Sequence, residues 1–207
     1  MTGSRGLLWI SACLCSATVG LASAETVTYT YSGNFLYDDD LESIPVSLGA
    51  SQDVTITTTS FAAGGFAPVL SFFDPAGMLI AFDVDGNSGG CTVSDPVSNY
   101  CWDDYIGLSG LAPGVYTLAL TEDNNTPNGP TLADGFFWGT GLSNDFTGPE
   151  FLGEPGSFIL ADGSQRSSAW ALQIQITDVV PEPSAAPVCA LLLAMAAGRL
   201  RTKGRAQ

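Results

Sequence analysis

Apolar and polar residues alternate with a period of two through most of the middle of the chain. The pattern is clearest at residues 26–31 and 53–59, where every second side chain is apolar or aromatic over most of the stretch. Alternation of this kind is typical of β-strands that bury one face. Similar short apolar or alternating runs predict further strands at residues 44–48, 69–73, 79–83, 105–108, 115–121 and 170–177.

Turn residues separate these predicted strands. Asp74-Pro75-Ala76-Gly77 has the residue types that a type I turn favours, and residues 112–114 (Ala-Pro-Gly) suit a type II turn. No stretch of residues 25–179 has a sustained apolar period of 3.6. Eight short strands in one domain predict an all-β fold, an antiparallel β-sandwich or jelly roll.

Residues 122–168 interrupt the alternation and are rich in Asn, Gly, Pro and Asp. A structureless loop of this length is uncommon in a small domain, so we expect much of it to fold back as short irregular strands. Its aromatic side chains could fill the core or form a platform for sugar rings, with core filling favoured. They are Phe136, Phe137, Trp138, Phe146, Phe151 and Phe158.

The N-terminal residues 1–24 have the three parts of a secretory signal peptide. Arg5 precedes an apolar stretch at residues 6–21, and Ala22-Ser23-Ala24 provides small residues for cleavage. Cleavage after Ala24 would leave residues 25–179 as a secreted domain. Lipid attachment at Cys13 is the alternative, with a short apolar stretch before it.

The C-terminal residues 180–207 have a different order of residue types. Pro181, Glu182 and Pro183 end the domain, because proline disfavours regular structure at and before its position. An apolar segment at residues 185–198 predicts a short hydrophobic helix, shorter than a full membrane span. Four cations that would hold the tail in the cytoplasm follow it: Arg199, Arg201, Lys203 and Arg205.

This order closely resembles the PEP-CTERM sorting signal of certain Gram-negative bacteria. The resemblance implies recognition of Pro181-Glu182-Pro183 by an exosortase after export by the secretory machinery. It also implies that residues 185–198 are held transiently in the inner membrane. After processing, the protein would be found at the cell surface or outside the cell.

Charge is distributed unevenly between the ends and the secreted domain. Residues 25–179 contain 20 of the 21 acidic residues and one cation, Arg166, which gives a net charge of −19. Such a domain repels nucleic acid, and nucleic acid is therefore excluded as a partner. We expect Arg166 to pair with a nearby carboxylate.

Two cysteines remain in the secreted domain, Cys91 and Cys101. In an oxidising compartment they are expected to form a disulfide across a loop rich in Gly, Ser and Pro. Metal binding by the pair is the lesser alternative, because the chain has no histidine to complete a zinc site.

Acidic residues at the predicted strand ends suggest a calcium site. Asp83, Asp85 and Asn87 alternate on a tight turn that contains a glycine, and Asp104 follows the predicted disulfide loop. Hard oxygen ligands of this kind suit calcium. The alternative is that these residues, like the acidic run at 38–40, are solvated carboxylates at turn positions.

The first two-thirds of the secreted domain, about residues 29–121, resembles the bacterial pre-peptidase C-terminal domain. The resemblance is carried by residues 66–77, 81–86 and 111–118. It implies a jelly-roll sandwich, frequent calcium binding, and a role as a secreted accessory or binding module.

Histidine-dependent catalysis is excluded, because the chain has no histidine. No pair of carboxylates stands out as a glycosidase pair. We therefore expect a non-enzymatic surface or extracellular-matrix protein. The resemblance to PEP-CTERM proteins further implies an association with exopolysaccharide. The alternatives are a calcium-dependent carbohydrate-binding module and, less favoured, a glycan hydrolase.

Overall fold

The computed structural model describes residues 23–90, 93–142 and 144–179. Eight β-strands dominate them: β1 (Thr26–Asn34), β2 (Glu42–Leu48), β3 (Gln52–Thr58), β4 (Pro68–Phe73), β5 (Leu79–Val84), β6 (Tyr105–Leu111), β7 (Gly114–Glu122) and β8 (Ala169–Asp178). A 3-10 helix (Leu132–Asp134) and one short helix, α1 (Thr147–Phe151), lie between β7 and β8. Each strand overlaps one of the eight predicted from alternation.

The strands form two four-stranded antiparallel sheets. The first has the order β1-β8-β3-β6 and the second the order β2-β7-β4-β5. Eight strands shared between two such sheets form a sandwich of the jelly-roll type. The predicted all-β sandwich is therefore confirmed.

The core lies between the two sheets and follows directly from the alternation. In β3, Val54 and Ile56 are fully buried, whereas the intervening Thr55 is partly exposed. The same periodicity in β7 directs Leu118 and Leu120 inward from the second sheet. Aromatic rings fill the space between them, with Phe35 stacked on Phe66 at 5.1 Å between ring centroids.

The predicted turn at Asp74 is present. Gly77 N–H donates to the Asp74 carbonyl over 2.8 Å, and Gly77 has a φ of +79° that glycine adopts readily. The Asp74 carboxylate accepts bonds from the N–H groups of Ala76 and Met78. These contacts fix the connection between β4 and β5.

The segment between β7 and β8 differs from the expectation of short irregular strands. It contains the 3-10 helix, α1 and isolated bridges such as Pro127 with Phe136. Phe136 packs with Phe73 and Ala119 on the outer face of the second sheet. This cover explains why all six residues of β4 are buried.

Both sequence signals lie almost wholly outside the described residues. Only residues 23 and 24 of the predicted signal peptide are described, and the sorting tail at 180–207, with its predicted hydrophobic helix, lies beyond them. In the described part of the chain, no helix has the length and apolar character needed to cross a membrane.

Candidate functional site: the buried carboxylates

Two of the predicted calcium ligands, Asp83 and Asp104, are buried and hydrogen-bonded to the backbone. Asp83 accepts bonds from Ser88 N–H at 2.8 Å and from Tyr105 N–H at 2.9 Å. Asp104 accepts bonds from Leu70 N–H at 3.1 Å and from Gly86 N–H at 3.0 Å. These two carboxylates therefore join the loop after β5 to the middle of β4 and to the start of β6.

The other two predicted ligands, Asp85 and Asn87, are exposed on the same loop. Asp85 adopts a positive φ of 58°. Burial, together with the negative charges of Asp83 and Asp85, raises the pKa of Asp104 to about 8, although the hydrogen bonds from Gly86 N–H and Leu70 N–H act in the opposite direction. Three of the four predicted ligands are thus electrostatic neighbours.

The geometry of these residues gives limited support to a metal site. Among the described residues, no three Asp, Glu, Cys or His side chains converge in an arrangement that could hold a metal ion. Asp83 already uses both of its oxygens to accept bonds from protein donors. Calcium binding at Asp83, Asp85, Asn87 and Asp104 stays a prediction.

Asp103 and Asp95, in the same connection between β5 and β6, also accept hydrogen bonds that fix loops. Asp103 accepts bonds from Thr58 Oγ1, Phe61 N–H and Ala62 N–H at 2.9 to 3.1 Å. Asp95 binds Ser98 N–H at 2.7 Å, and this bond is the main cause that lowers the pKa of Asp95 to about 2.

Arg166 forms the expected ion pair, with Asp95 as its partner at 3.2 Å. Its guanidinium group lies 4.2 Å from the centroid of the Phe61 ring, and it donates to the carbonyl groups of Gly65 and Phe61. Arg166, the single cation of residues 25–179, therefore links three loops.

Asp38 connects the loop after β1 to α1, more than 100 residues away in the chain. It is fully buried and accepts bonds from Phe146 N–H at 2.6 Å, Thr147 N–H at 3.0 Å and Phe158 N–H at 3.3 Å. The next residue, Asp39, accepts bonds from Leu142 N–H and Asn144 N–H. Asp38 and Asp39 are therefore buried and bonded, which contradicts the alternative that run 38–40 is solvated.

Glu122, at the end of β7, differs from these aspartates. It is 1 % exposed, and neither carboxylate oxygen has a hydrogen-bond partner within the described residues. Burial raises the pKa of Glu122 well above its ordinary value, and the charges of Asp123, Asp38 and Glu150 add to the effect. Glu122 is therefore a carboxyl group that the protein encloses almost completely.

The aromatic residues of the segment between β7 and β8 mostly fill the interior. Phe136, Phe146 and Phe158 are buried. Trp138 stacks on Phe146 at 4.9 Å between centroids, and Phe137 is 64 % exposed. Core filling therefore accounts for most of these rings, as favoured from the sequence.

The predicted disulfide cannot be followed in the structure, because Cys91 lies outside the described residues. Cys101 is described and partly exposed. The Cys91–Cys101 disulfide stays a prediction, and its loop is anchored at Asp95 by Arg166.

Comparisons with known proteins add little to this description. No protein-family model matches the chain, and no curated protein matches it in sequence. Among solved structures, the chain is similar to a periplasmic lysozyme inhibitor of g-type lysozyme from Aeromonas hydrophila. The two share 10% identity and a TM-score of 0.31, over 74% of this chain and 85% of that one. A similarity this low carries no argument about function.

The sequence did not reveal the structural use of the buried acids. Asp38 and Asp103 lie in runs of consecutive aspartates between predicted strands, and such runs are typical of exposed turns. Their partners at Phe146 and Phe61 are distant in the chain. A signal in the sequence was the large number of acidic residues in loops next to aromatic residues, which indicates that some of these acidic residues are buried.

Proposed function

We propose that the chain is an exported, non-enzymatic β-sandwich protein of the bacterial surface or extracellular matrix, processed by an exosortase. The observation that carries the proposal is the order of the C-terminal tail: Pro181-Glu182-Pro183, an apolar segment at 185–198 and four cations. An association with exopolysaccharide follows from the same resemblance.

The described domain supports a role without catalysis. Its buried aspartates accept bonds from backbone N–H groups of neighbouring loops, as for Asp38, Asp83 and Asp104. Carboxylates committed in this way stabilise loops and are poorly placed to exchange protons with a substrate. The acidic surface also keeps such a protein soluble outside the cell.

The layout of the domain also suits attachment by its tail. Thr26, near the start of β1, pairs with Thr177, near the end of β8. The two ends of the domain therefore leave the sandwich side by side. The rest of the sandwich would extend away from the membrane while the tail is held there.

The sorting proposal is tested by replacing Pro181, Glu182 and Pro183 together with alanine in the producing bacterium. We expect the wild-type protein to lose its C-terminal tail, and the triple variant to keep it and stay with the membrane fraction. Mass spectrometry of the purified proteins measures the difference. Pro187→Ala, a proline change within the apolar segment, is the matched control and should be processed normally. Normal processing of the triple variant would contradict the proposal.

A further inference from the structure

The two sheets have four edge strands, and three of them carry features that discourage pairing with another chain. β2 contains Pro45, which has no N–H to donate. The pairing of β6 with β3 shifts register between Gln52 and Val54, and that of β5 with β4 shifts between Phe72 and Phe73. β5 and β6 also contact each other across one side of the sandwich.

β1 has none of these features. It pairs with β8 over nine consecutive residues without a register shift, and it contains neither proline nor a charged residue. No strand or bridge of the described chain pairs with its other edge. Long, regular and uncharged edges are the ones that pair readily with a further strand.

The hydrogen bonds at the two ends of β1 show which residues face the free edge. Glu25 C=O accepts from Asp178 N–H, and Phe35 N–H donates to Ser168 C=O, so odd-numbered residues direct their backbone groups toward β8. In an antiparallel ladder, alternate residues point these groups in opposite directions. The even-numbered residues, including Thr28, Thr30 and Ser32, therefore present N–H and C=O groups outward.

Apolar surface lies beside this edge. Val27 is 41 % exposed and Tyr29 is 47 % exposed. Tyr29 and Tyr31 also line an open groove of about 190 Å³ between the two sheets, next to Pro45. A strand added to β1 would cover part of this surface as well as satisfy the backbone.

Charge limits the choice of partner. Residues 25–179 carry a net charge of −19, so a second copy is repelled over most of the surface, and an uncharged strand is the place where two copies can approach. Antiparallel pairing about Thr30 places Thr28 opposite Ser32 and Glu25 opposite Phe35. No like charges then meet along β1.

We propose that β1 pairs with β1 of a second copy, antiparallel about Thr30, to join the two first sheets into one eight-stranded sheet across a twofold axis. Such an interface is isologous and closes at a dimer. The inference is independent of the sorting proposed above, because it rests only on the described domain.

The test is sedimentation equilibrium of the purified full chain at micromolar concentration, with Thr30→Pro as the decisive variant. Proline removes the central outward N–H while edge strands tolerate it. We expect a dimer for the wild type, and a dissociation constant raised at least about tenfold for Thr30→Pro. Thr30→Val keeps the N–H group and is the matched control, which should remain dimeric.

A second variant and a second measurement guard against misfolding of Thr30→Pro. Thr30→Asp leaves the backbone intact but places two carboxylates opposite each other at the axis, and it should also weaken the dimer. A monomeric wild type would overturn the proposal, and so would a dimer unaffected by Thr30→Pro and Thr30→Asp. Slow hydrogen exchange at the Thr28 and Thr30 amides in a monomer would show that another part of the same chain pairs with the outer edge of β1. That result would also overturn the proposal.

Discussion

Glu122 buries a carboxyl group that has no hydrogen-bond partner within the described residues. Removing such a group from water without a hydrogen-bond partner costs free energy. When the pH is above the ordinary pKa of the group, keeping it protonated costs additional free energy. The neighbouring carboxylates of Asp38 and Asp123 increase this cost. The residue is therefore a local weakness in the interior, where Ser71 Oγ and Trp138 Nε1 also lack a hydrogen-bond partner among the described residues.

Replacing Glu122 with methionine, which is similar in length and unbranched, should stabilise the protein. We expect Glu122→Met to raise the free energy of unfolding at pH 8 by about 1–3 kcal/mol. Urea titration followed by tryptophan fluorescence measures the change. Glu154→Met, at an exposed position, is the control and should change little. A loss of stability in Glu122→Met would show that the carboxyl group has a stabilising partner.

Among the connecting elements, Asp38 organises the start of α1. Its carboxylate accepts N–H groups of Phe146, Thr147 and Phe158, all of them buried. In Asp38→Ala these donors lose their acceptor, and we expect the free energy of unfolding to fall by at least about 2 kcal/mol. Thermal or urea unfolding measures the loss.

The matched control for Asp38→Ala is Asp40→Ala. Among the described residues, Asp40 accepts side-chain bonds from Leu36 N–H and Tyr37 N–H of its own loop, so its loss should cost less. Hydrogen exchange gives a second measure, since the Phe146 amide should lose protection in Asp38→Ala alone. Equal losses in both variants would contradict the role assigned to Asp38.

The strands could be predicted from the sequence because alternation records burial residue by residue. Val54 and Ile56 show inward positions within a single short window. The segment between β7 and β8 could not be predicted in this way, because its shape depends on contacts such as Asp38 with Thr147. For the same reason, the sequence predicted that Asp83 and Asp104 lie near each other, but it did not show that their oxygens accept hydrogen bonds from backbone N–H groups.

For the molecule as a whole, the raised carboxyl pKa values imply that stability falls as pH rises. Asp104 holds its proton up to about pH 8 and Asp123 to about pH 6 when folded, against an ordinary value of 3.8 when unfolded. Between these values the unfolded state binds fewer protons, so the free energy of unfolding declines with pH. The pKa of Asp95 is lowered to about 2. Asp95 therefore stabilises the folded state above pH 3.8, and this contribution is lost as the pH falls from 3.8 to about 2.

We therefore expect the melting temperature, measured in the presence of EDTA, to be highest near pH 4 and to fall toward pH 8. Circular dichroism across pH 3 to 9 measures it. Asp104→Asn removes one of the titrating groups and should flatten the decline, whereas the exposed Glu154→Gln should leave it unchanged. A melting temperature that rises from pH 5 to pH 8 would contradict this expectation.

The place of β8 in the first sheet has a consequence for the timing of folding. β8 lies between β1 and β3, although it is the last strand in the chain. Under the export proposed above, with the N-terminus leading, β1 and β3 would lack their shared neighbour until Asp178 had crossed the membrane. Pairing across such a large sequence separation is slow. A tail that detains the chain at the translocation site would give the last strand time to insert before release.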